Sequence, residues 1–400
     1  MPSTNKFTQT FILLLSLFFM WGFITSLNDI LIPHLKSVFE LNYTQAMLVQ
    51  LCFFGAYFIM GIPAGWLITA VGHKRGIVIA LLIMGLGCLL FYPASIVESY
   101  PLFLGALFIL ASGITVLQVA ANAYIVEFGK PETASIRLNL SQGFNSLAHT
   151  IAPIVGTSLI LSTTRHTELS AEAVQVPYLG LAGITILLAV FFAYSKLPSL
   201  TVEKEEQDGS KSIWSYPHLM FGAIAIFLYV GAEVSIGSFL VNFFGESNIK
   251  AMSSDVAGDY VSYYWGGAMV GRFAGSAILR RVKANVLLSV YCIVNIILIA
   301  VTIRSSGDVA MISILAVGFF NSVMFPNIFS LSLKGLGKNS SKGSGILVLA
   351  IVGGAIIPLI QGYFADLIGI QQSFFIPMIC YALVFFYGIK FYKSSSELKA

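Results

Sequence analysis

The sequence predicts an all-α membrane protein of twelve transmembrane helices in two six-helix pseudo-repeats. Three observations carry that expectation: the composition, the spacing of the apolar runs and the placement of the basic residues. The chain has 400 residues, of which 57% are hydrophobic and only 10% charged, and its mean hydropathy is +0.87. Soluble domains carry about 25% charged residues. A spanning helix takes roughly 20 mostly apolar residues, so twelve of them use about 240 positions and leave no room for a large soluble domain.

Apolar runs broken by polar punctuation mark the helices in order. Helix 1 covers 10–36; its stretch 11–27 resembles the apolar core of a signal peptide but lacks a small-x-small cleavage site and runs straight into Asn28 and Asp29. Helix 2 (46–71) contains Gly61-Ile62-Pro63-Ala64-Gly65 near its end, and helices 3 (77–95) and 4 (101–128) follow. Helix 5 (138–162) is unusually rich in amides, and helix 6 (176–197) closes the first set. The second set is helix 7 (216–244), helix 8 (259–280), helix 9 (285–303), helix 10 (308–334), helix 11 (342–370) and helix 12 (373–393). Between the sets, Glu203-Lys204-Glu205-Glu206-Gln207-Asp208 is the one extended charged stretch and reads as a solvated linker. The expected domains are therefore 1–197, a linker over 198–215, and 216–400.

Basic residues test this topology. Of the 22 lysines and arginines, Lys36, Arg165, Lys250 and Arg304 fall on one side and Arg272 lies within a helix. All the others fall on the side that holds both termini and the linker, which the positive-inside rule makes cytoplasmic. The net charge of +4 is thus explained by topology, and nucleic acid is not an expected partner. Cys52, Cys88, Cys292 and Cys380 each lie in apolar runs without metal or redox spacing, so neither a disulfide framework nor a zinc site is indicated.

The halves also repeat. Gly61-x-x-Ala64-Gly65 in helix 2 is matched by Gly271-x-x-Ala274-Gly275 in helix 8, and Asn122 precedes Pro153 by the same interval at which Asn327 precedes Pro358. Duplicated halves with a central linker describe transporters that expose a mid-membrane site alternately to the two sides.

Four dispersed motifs then point to a family: Trp21-Gly22-Phe23-Ile24-Thr25-Ser26-Leu27-Asn28-Asp29 in helix 1, Leu117-Gln118-Val119-Ala120-Ala121-Asn122 in helix 4, Arg137 to Ser146 leading into helix 5, and Gly231-Ala232-Glu233-Val234-Ser235-Ile236-Gly237 in helix 7. The chain resembles the sugar/cation symporters of the major facilitator superfamily, in the group of the fucose/proton symporter and most closely its bacterial glucose/galactose branch. The resemblance spans all twelve helices and implies a multi-pass protein of the bacterial inner membrane, expected as a monomer in the lipid bilayer. There are two departures. The loop between helices 2 and 3, Gly65 to Arg75, keeps the superfamily's glycines and basic end but lacks its acid. The acidic partner that the fucose symporter carries in helix 4 is replaced by Gln118.

Asp29 is the strongest single candidate, because an ionisable group in a membrane helix costs at least a few kcal/mol and almost always faces a cavity or a partner. Trp21, Thr25, Asn28 and Asp29 share about 100° of arc at about 100° per residue. Gln118 and Asn122 lie one turn apart on helix 4. With Asp29 they offer carboxylate and amide oxygens, the ligands a hard cation accepts, so Asp29, Asn28, Thr25, Gln118 and Asn122 form the expected cation-coupling set and Asp29, Gln118 and Asn122 the candidate metal-ion ligands. On helix 5, Gln142, Asn145 and His149 span about 60° of arc, and amides both donate and accept, as sugar hydroxyls require. The resemblance places Gln142 and Asn145 at sugar-contacting positions. Glu233, Trp21 and Asn321 complete the expected substrate set, with Asn295, Asn327 and Gln361 as lesser candidates, His149 as a structural residue and Arg272 as a conformational latch.

The expected function is cation-coupled import of a glucose- or galactose-type hexose, without a resident cofactor. Sodium is favoured over the proton as the co-transported ion, because Gln118 removes the second carboxylate. The competing reading is a proton-linked exporter of drugs or metabolites with the same fold. An enzyme is not expected, since no metal cluster, Ser/His/Asp set or phosphate-binding glycine loop stands in a suitable context.

Overall fold

Every described stretch that the apolar runs mark is helical, and no strand occurs among the described residues. Backbone N–H and C=O groups find no water in hydrocarbon, and a helix satisfies them internally. The computed structural model describes residues 4–41, 43–156, 171–195, 197–198 and 212–393, excepting the side chains of 4–6, 28–34, 36–37, 43–47, 153–154, 156, 171, 173 and 254–255. Almost all of the charged linker therefore lies outside the described residues, as does Arg165.

The first set comprises α1 (Thr4–Val38), α2 (Tyr43–Val71), α3 (His73–Ile96), α4 (Tyr100–Glu127), α5 (Ala134–Gly156) and α6 (Gln175–Tyr194). The second comprises α7 (Pro217–Gly245), α8 (Ser254–Ile278), α9 (Ala284–Arg304), α10 (Gly307–Leu333), α11 (Gly337–Ile368) and α12 (Ile370–Phe391). Among the described residues, ten of the twelve are long and apolar enough to cross a membrane. The described parts of α5 and α8 hold the polar stretches Arg137 to His149 and Asp259 to Arg272, which lower their hydropathy. Between α2 and α3 the chain reverses at Gly72, whose φ of 81° lies in the left-handed region that glycine adopts without strain.

Two helices differ from the continuous runs expected. α10 is interrupted after Asn321 and resumes at Met324. Pro326 has no N–H to give the carbonyl four residues earlier, that of Ser322, and its ring crowds the same carbonyl. α11 passes through a 3-10 turn at Ala350–Val352 before Gly353. A Cβ at Gly353 would stand 2.9 Å from the Cα of Phe227, so the glycine permits α11 to meet α7 backbone to backbone.

Contacts divide the chain into two compact units that interleave the sequence halves. The first holds Met1–Ile125, Leu147–Glu203 and Lys338–Leu349. Within it α3 packs on α6, and α2 packs on the opening segment of α11. Gly61 and Gly65 make the second contact possible: a Cβ at Gly61 would lie 2.8 Å from Gly345 O, and one at Gly65 2.8 Å from Ser341 O. Small residues one turn apart let helix backbones approach in this way. α4 has few exposed positions; Ala111, Ile114, Thr115, Val116, Leu117 and Val119 are all fully buried.

The second unit holds Val126–Ser146, Lys204–Gly337 and Ala350–Ala400. The opening of α5 packs there against α8, where Phe273 lies 3.0 Å from a Cβ built on Gly143, and against α10, where Asn139 Nδ2 donates to Asn327 Oδ1 at 2.9 Å. Gly271 and Gly275 bring α8 onto the interruption of α10 at Phe319–Val323. Both copies of the Gly-x-x-Ala-Gly motif thus mark close helix approaches.

Gly61→Val is expected to lower thermal stability in detergent by about 1–3 kcal/mol, the usual cost of overpacking a tight contact. An unchanged midpoint in a thermal-shift series by size-exclusion chromatography would show that α2 and α11 do not depend on this contact.

Candidate functional site

Each unit carries its own cluster of buried polar side chains. In the first, Gln118 is 7% exposed, and its Nε2 donates to the Tyr57 hydroxyl at 2.7 Å. Asn122, one turn further along α4, is fully buried. Trp21 on α1 is buried with its ring centroid 4.2 Å from that of Phe18. The hydroxyl oxygen of Thr25 is buried without a hydrogen-bond partner among the described residues, and Ser26 Oγ donates to His149 O at 3.2 Å, tying α1 to the later part of α5. Asn28 and Asp29 continue the helix, but their side chains lie outside the described residues. The cation-coupling set is therefore described only at Thr25, Gln118 and Asn122.

The second cluster centres on Arg272 of α8. Its guanidinium stands 3.8 Å from the Glu233 carboxylate on α7, with only about a tenth of either side chain exposed. It also donates through Nη1 to Ser146 Oγ on α5, at the limit of range to Gln142 O at 3.5 Å, and through Nε to Ser322 O on α10 at 3.3 Å. That last acceptor is the carbonyl that Pro326 leaves without its helical donor. Glu233 Oε1 makes no hydrogen bond, and at 3.8 Å the ion pair is longer than the 2.7–2.9 Å of a charge-assisted hydrogen bond. Both partners retain unused donor or acceptor capacity. Gln142, Asn145 and Ser146 are 5–6% exposed and share one face of α5 at intervals of three and four residues.

Behind Glu233 runs a hydrogen-bonded network. Tyr264 donates its hydroxyl to Glu233 O at 3.2 Å and accepts from Asn321 Nδ2 at 2.6 Å. Asn321 Oδ1 accepts from Tyr381 at 2.5 Å and from Asn295 Nδ2 at 3.0 Å. Asn321, expected on the substrate, is thus fully buried with its amide engaged by three helices. Asn327 is held by Asn139, and Gln361 bonds Ser235 and Ser373. The sequence did not single out Tyr57, Tyr264 or Tyr381, because a tyrosine in an apolar run carries no signal of its own. Arg272, expected as a latch, sits at the centre of the second cluster.

The model of the Major Facilitator Superfamily matches residues 11–351. The chain belongs to the major facilitator superfamily. It is 56% identical over 377 residues to the glucose/galactose transporter of Brucella abortus, covering 93% of this chain and 92% of the relative. It is 34% identical over 410 residues to the L-fucose-proton symporter of Escherichia coli, covering 96% and 93%. The crystal structure of an E. coli fucose:proton symporter variant superposes with a TM-score of 0.86 at 31% identity, covering 96% of this chain and 98% of that one. Where the superfamily's loop carries an acid, this member has Thr69, which donates to Gly65 O on its own helix at 2.8 Å. The first residue after Gly72 is His73, whose Nε2 lies 3.3 Å from Ser341 Oγ on α11.

Asn321→Leu is expected to lower thermal stability markedly, because it leaves polar atoms of Tyr381 and Asn295 buried without their partner at about 1–3 kcal/mol each. A direct substrate contact at Asn321 would give the opposite pattern in paired melting and binding measurements: ligand affinity lost, melting midpoint kept.

Proposed function

We propose that this transporter imports a hexose of the glucose/galactose type in symport with a proton, exposing its site alternately to the two sides of the membrane. One observation carries the substrate class. A buried face of α5 presents Gln142, Asn145 and Ser146 beside the Arg272–Glu233 pair, which supplies donors and acceptors suited to a ring of hydroxyls. The names of the relatives, a glucose/galactose transporter and an L-fucose-proton symporter, support the same reading.

The sodium preference rested on a missing second carboxylate. Glu233 is such a carboxylate, 9% exposed and paired with Arg272 at 3.8 Å, and this moves the weight to the proton. Asp29 remains the proposed coupling acid of α1, with Thr25, Gln118 and Asn122 as its polar company. Coupling then requires that protonation favour one conformational state over the other, since a ligand shifts such a balance only by its differential affinity.

Gln142→Ala and Asn145→Ala are each expected to weaken hexose binding by about 1–3 kcal/mol, read by isothermal titration in detergent; unchanged affinity in both would make the α5 face a packing surface. Asp29→Asn should lose gradient-driven accumulation but retain exchange of labelled sugar across proteoliposome membranes. The decisive experiment imposes inward sodium and pH gradients separately on vesicles supplied with labelled glucose or galactose. Accumulation under the pH gradient alone is expected. Accumulation under the sodium gradient alone would restore sodium as the coupled ion.

A further inference from the structure

We propose that Glu233 is a second proton-binding carboxylate of this transporter and that Arg272 is the positioning residue that converts its protonation state into sugar affinity at the α5 face. This rests on the hexose/proton reading above and adds to it the site and direction of coupling.

The geometry has three parts. First, the ion pair is loose: 3.8 Å separates the guanidinium from a carboxylate whose Oε1 accepts no hydrogen bond. A tightly bidentate pair would hold its charge under all conditions. Second, the same guanidinium is bonded to Ser146 and touches Gln142 O, so its position bears directly on the polar face of α5. Third, among the described residues Arg272 is the only charged neighbour of Glu233. From its own helix it faces Tyr229, from α8 Arg272 and Tyr264, and from α12 Tyr381; α10 and α11 bring the neutral amides Asn321 and Gln361 to this stretch of α7. Tyr229, one turn before Glu233, has a buried hydroxyl that faces the carboxylate.

The cycle balances as follows. A proton from the medium that supplies the sugar binds a carboxylate oxygen of Glu233, whose neutral carboxyl is then a donor as well as an acceptor. Arg272 loses its counter-charge and turns its free N–H groups to sugar hydroxyl oxygens beside Gln142 and Asn145. When the sugar leaves on the other side, Arg272 returns to Glu233, and the proton is released to the medium that received the sugar. By linkage, whatever protonation adds to sugar affinity, sugar binding adds equally to proton affinity. The sign is fixed: sugar affinity falls as pH rises through the titration of Glu233.

The test measures galactose and glucose binding to the purified full-length transporter over about pH 5 to 9. Wild-type affinity is expected to fall about tenfold across this range. Glu233→Gln, which imitates the protonated carboxyl, should bind with affinity constant to about twofold, exchange labelled sugar, and fail to concentrate it under a pH gradient. Arg272→Lys should weaken binding while keeping the pH dependence, whereas a merely structural arginine would leave the pH profile of Arg272→Gln unchanged. A second measurement does not depend on the folding of any Glu233 variant. In the Asp29→Asn protein, sugar binding in weakly buffered solution with a pH indicator should still take up protons. The proposal is overturned if Glu233→Gln concentrates hexose like wild type, if it keeps the wild-type pH dependence, or if the Asp29→Asn protein takes up none. A wild-type protein that neither binds nor transports glucose or galactose contradicts the hexose reading itself, a result distinct from all of these.

Discussion

A guanidinium and a carboxylate placed inside membrane-spanning helices constrain everything built around them. Neither Arg272 nor Glu233 is tolerable alone in hydrocarbon, and removing one member of a buried pair costs about 3–5 kcal/mol. Four helices are accordingly drawn to one point: α7 brings the acid, α8 the base, α5 the Ser146 hydroxyl and α10 the Ser322 carbonyl. The sequence features near that point serve the same end. Pro326 strips Ser322 O of its helical donor and so creates an acceptor for Arg272, while Gly271 removes the side chain that would keep α8 away from Phe319 and Ser322.

The distribution of polarity separates scaffold from site. Among the described residues, ten helices are long and apolar enough to span a membrane, and the described parts of α5 and α8 are more polar. Those two carry the amide face and the arginine. Their polar groups meet neighbouring helices: Asn139 donates to Asn327, Ser276 to Ile136 O, and Arg272 faces Glu233. The Asn295–Asn321–Tyr264–Tyr381 network then braces the wall behind Glu233. Buried networks of this kind rigidify their surroundings to the extent that they are satisfied, and here Asn295 Oδ1 alone among the four residues' side-chain polar atoms lacks a partner among the described residues.

Much of this was legible in the sequence, for physical reasons that differ from element to element. Helices announce themselves because hydrocarbon demands long apolar runs, and the boundaries of α4 and α9 fall within one or two residues of those expected. The Gly61 and Gly271 motifs were visible as a repeat, and both prove to be close helix approaches. The interruption of α10 was missed although Pro326 signals it, because hydropathy is blind to a lost N–H. Which polar residues meet was not legible at all. Arg272 and Glu233 are far apart in sequence, and Asn321 reads as a free amide until its three partners are placed around it. Tyr57 is one of 17 tyrosines, and nothing but its hydrogen bond to Gln118 distinguishes it.

Gln118 and Glu233 together bear on how such a transporter keeps a titratable charge. At Gln118, where the resemblance to the fucose symporter would place an acid, there is a neutral amide already committed to Tyr57 at 2.7 Å, and it cannot exchange a proton near neutral pH. The second unit instead holds an acid beside a permanent cation. That arrangement is suited to switching. The arginine keeps the ionised carboxylate bearable in a low dielectric, and the 3.8 Å gap withholds the hydrogen bonds that would lock it. A carboxylate held too well never takes a proton, and one held too poorly never loses it. A long, partly satisfied ion pair lies between these limits, and a third group competing for the arginine, such as a sugar hydroxyl, is enough to tip it.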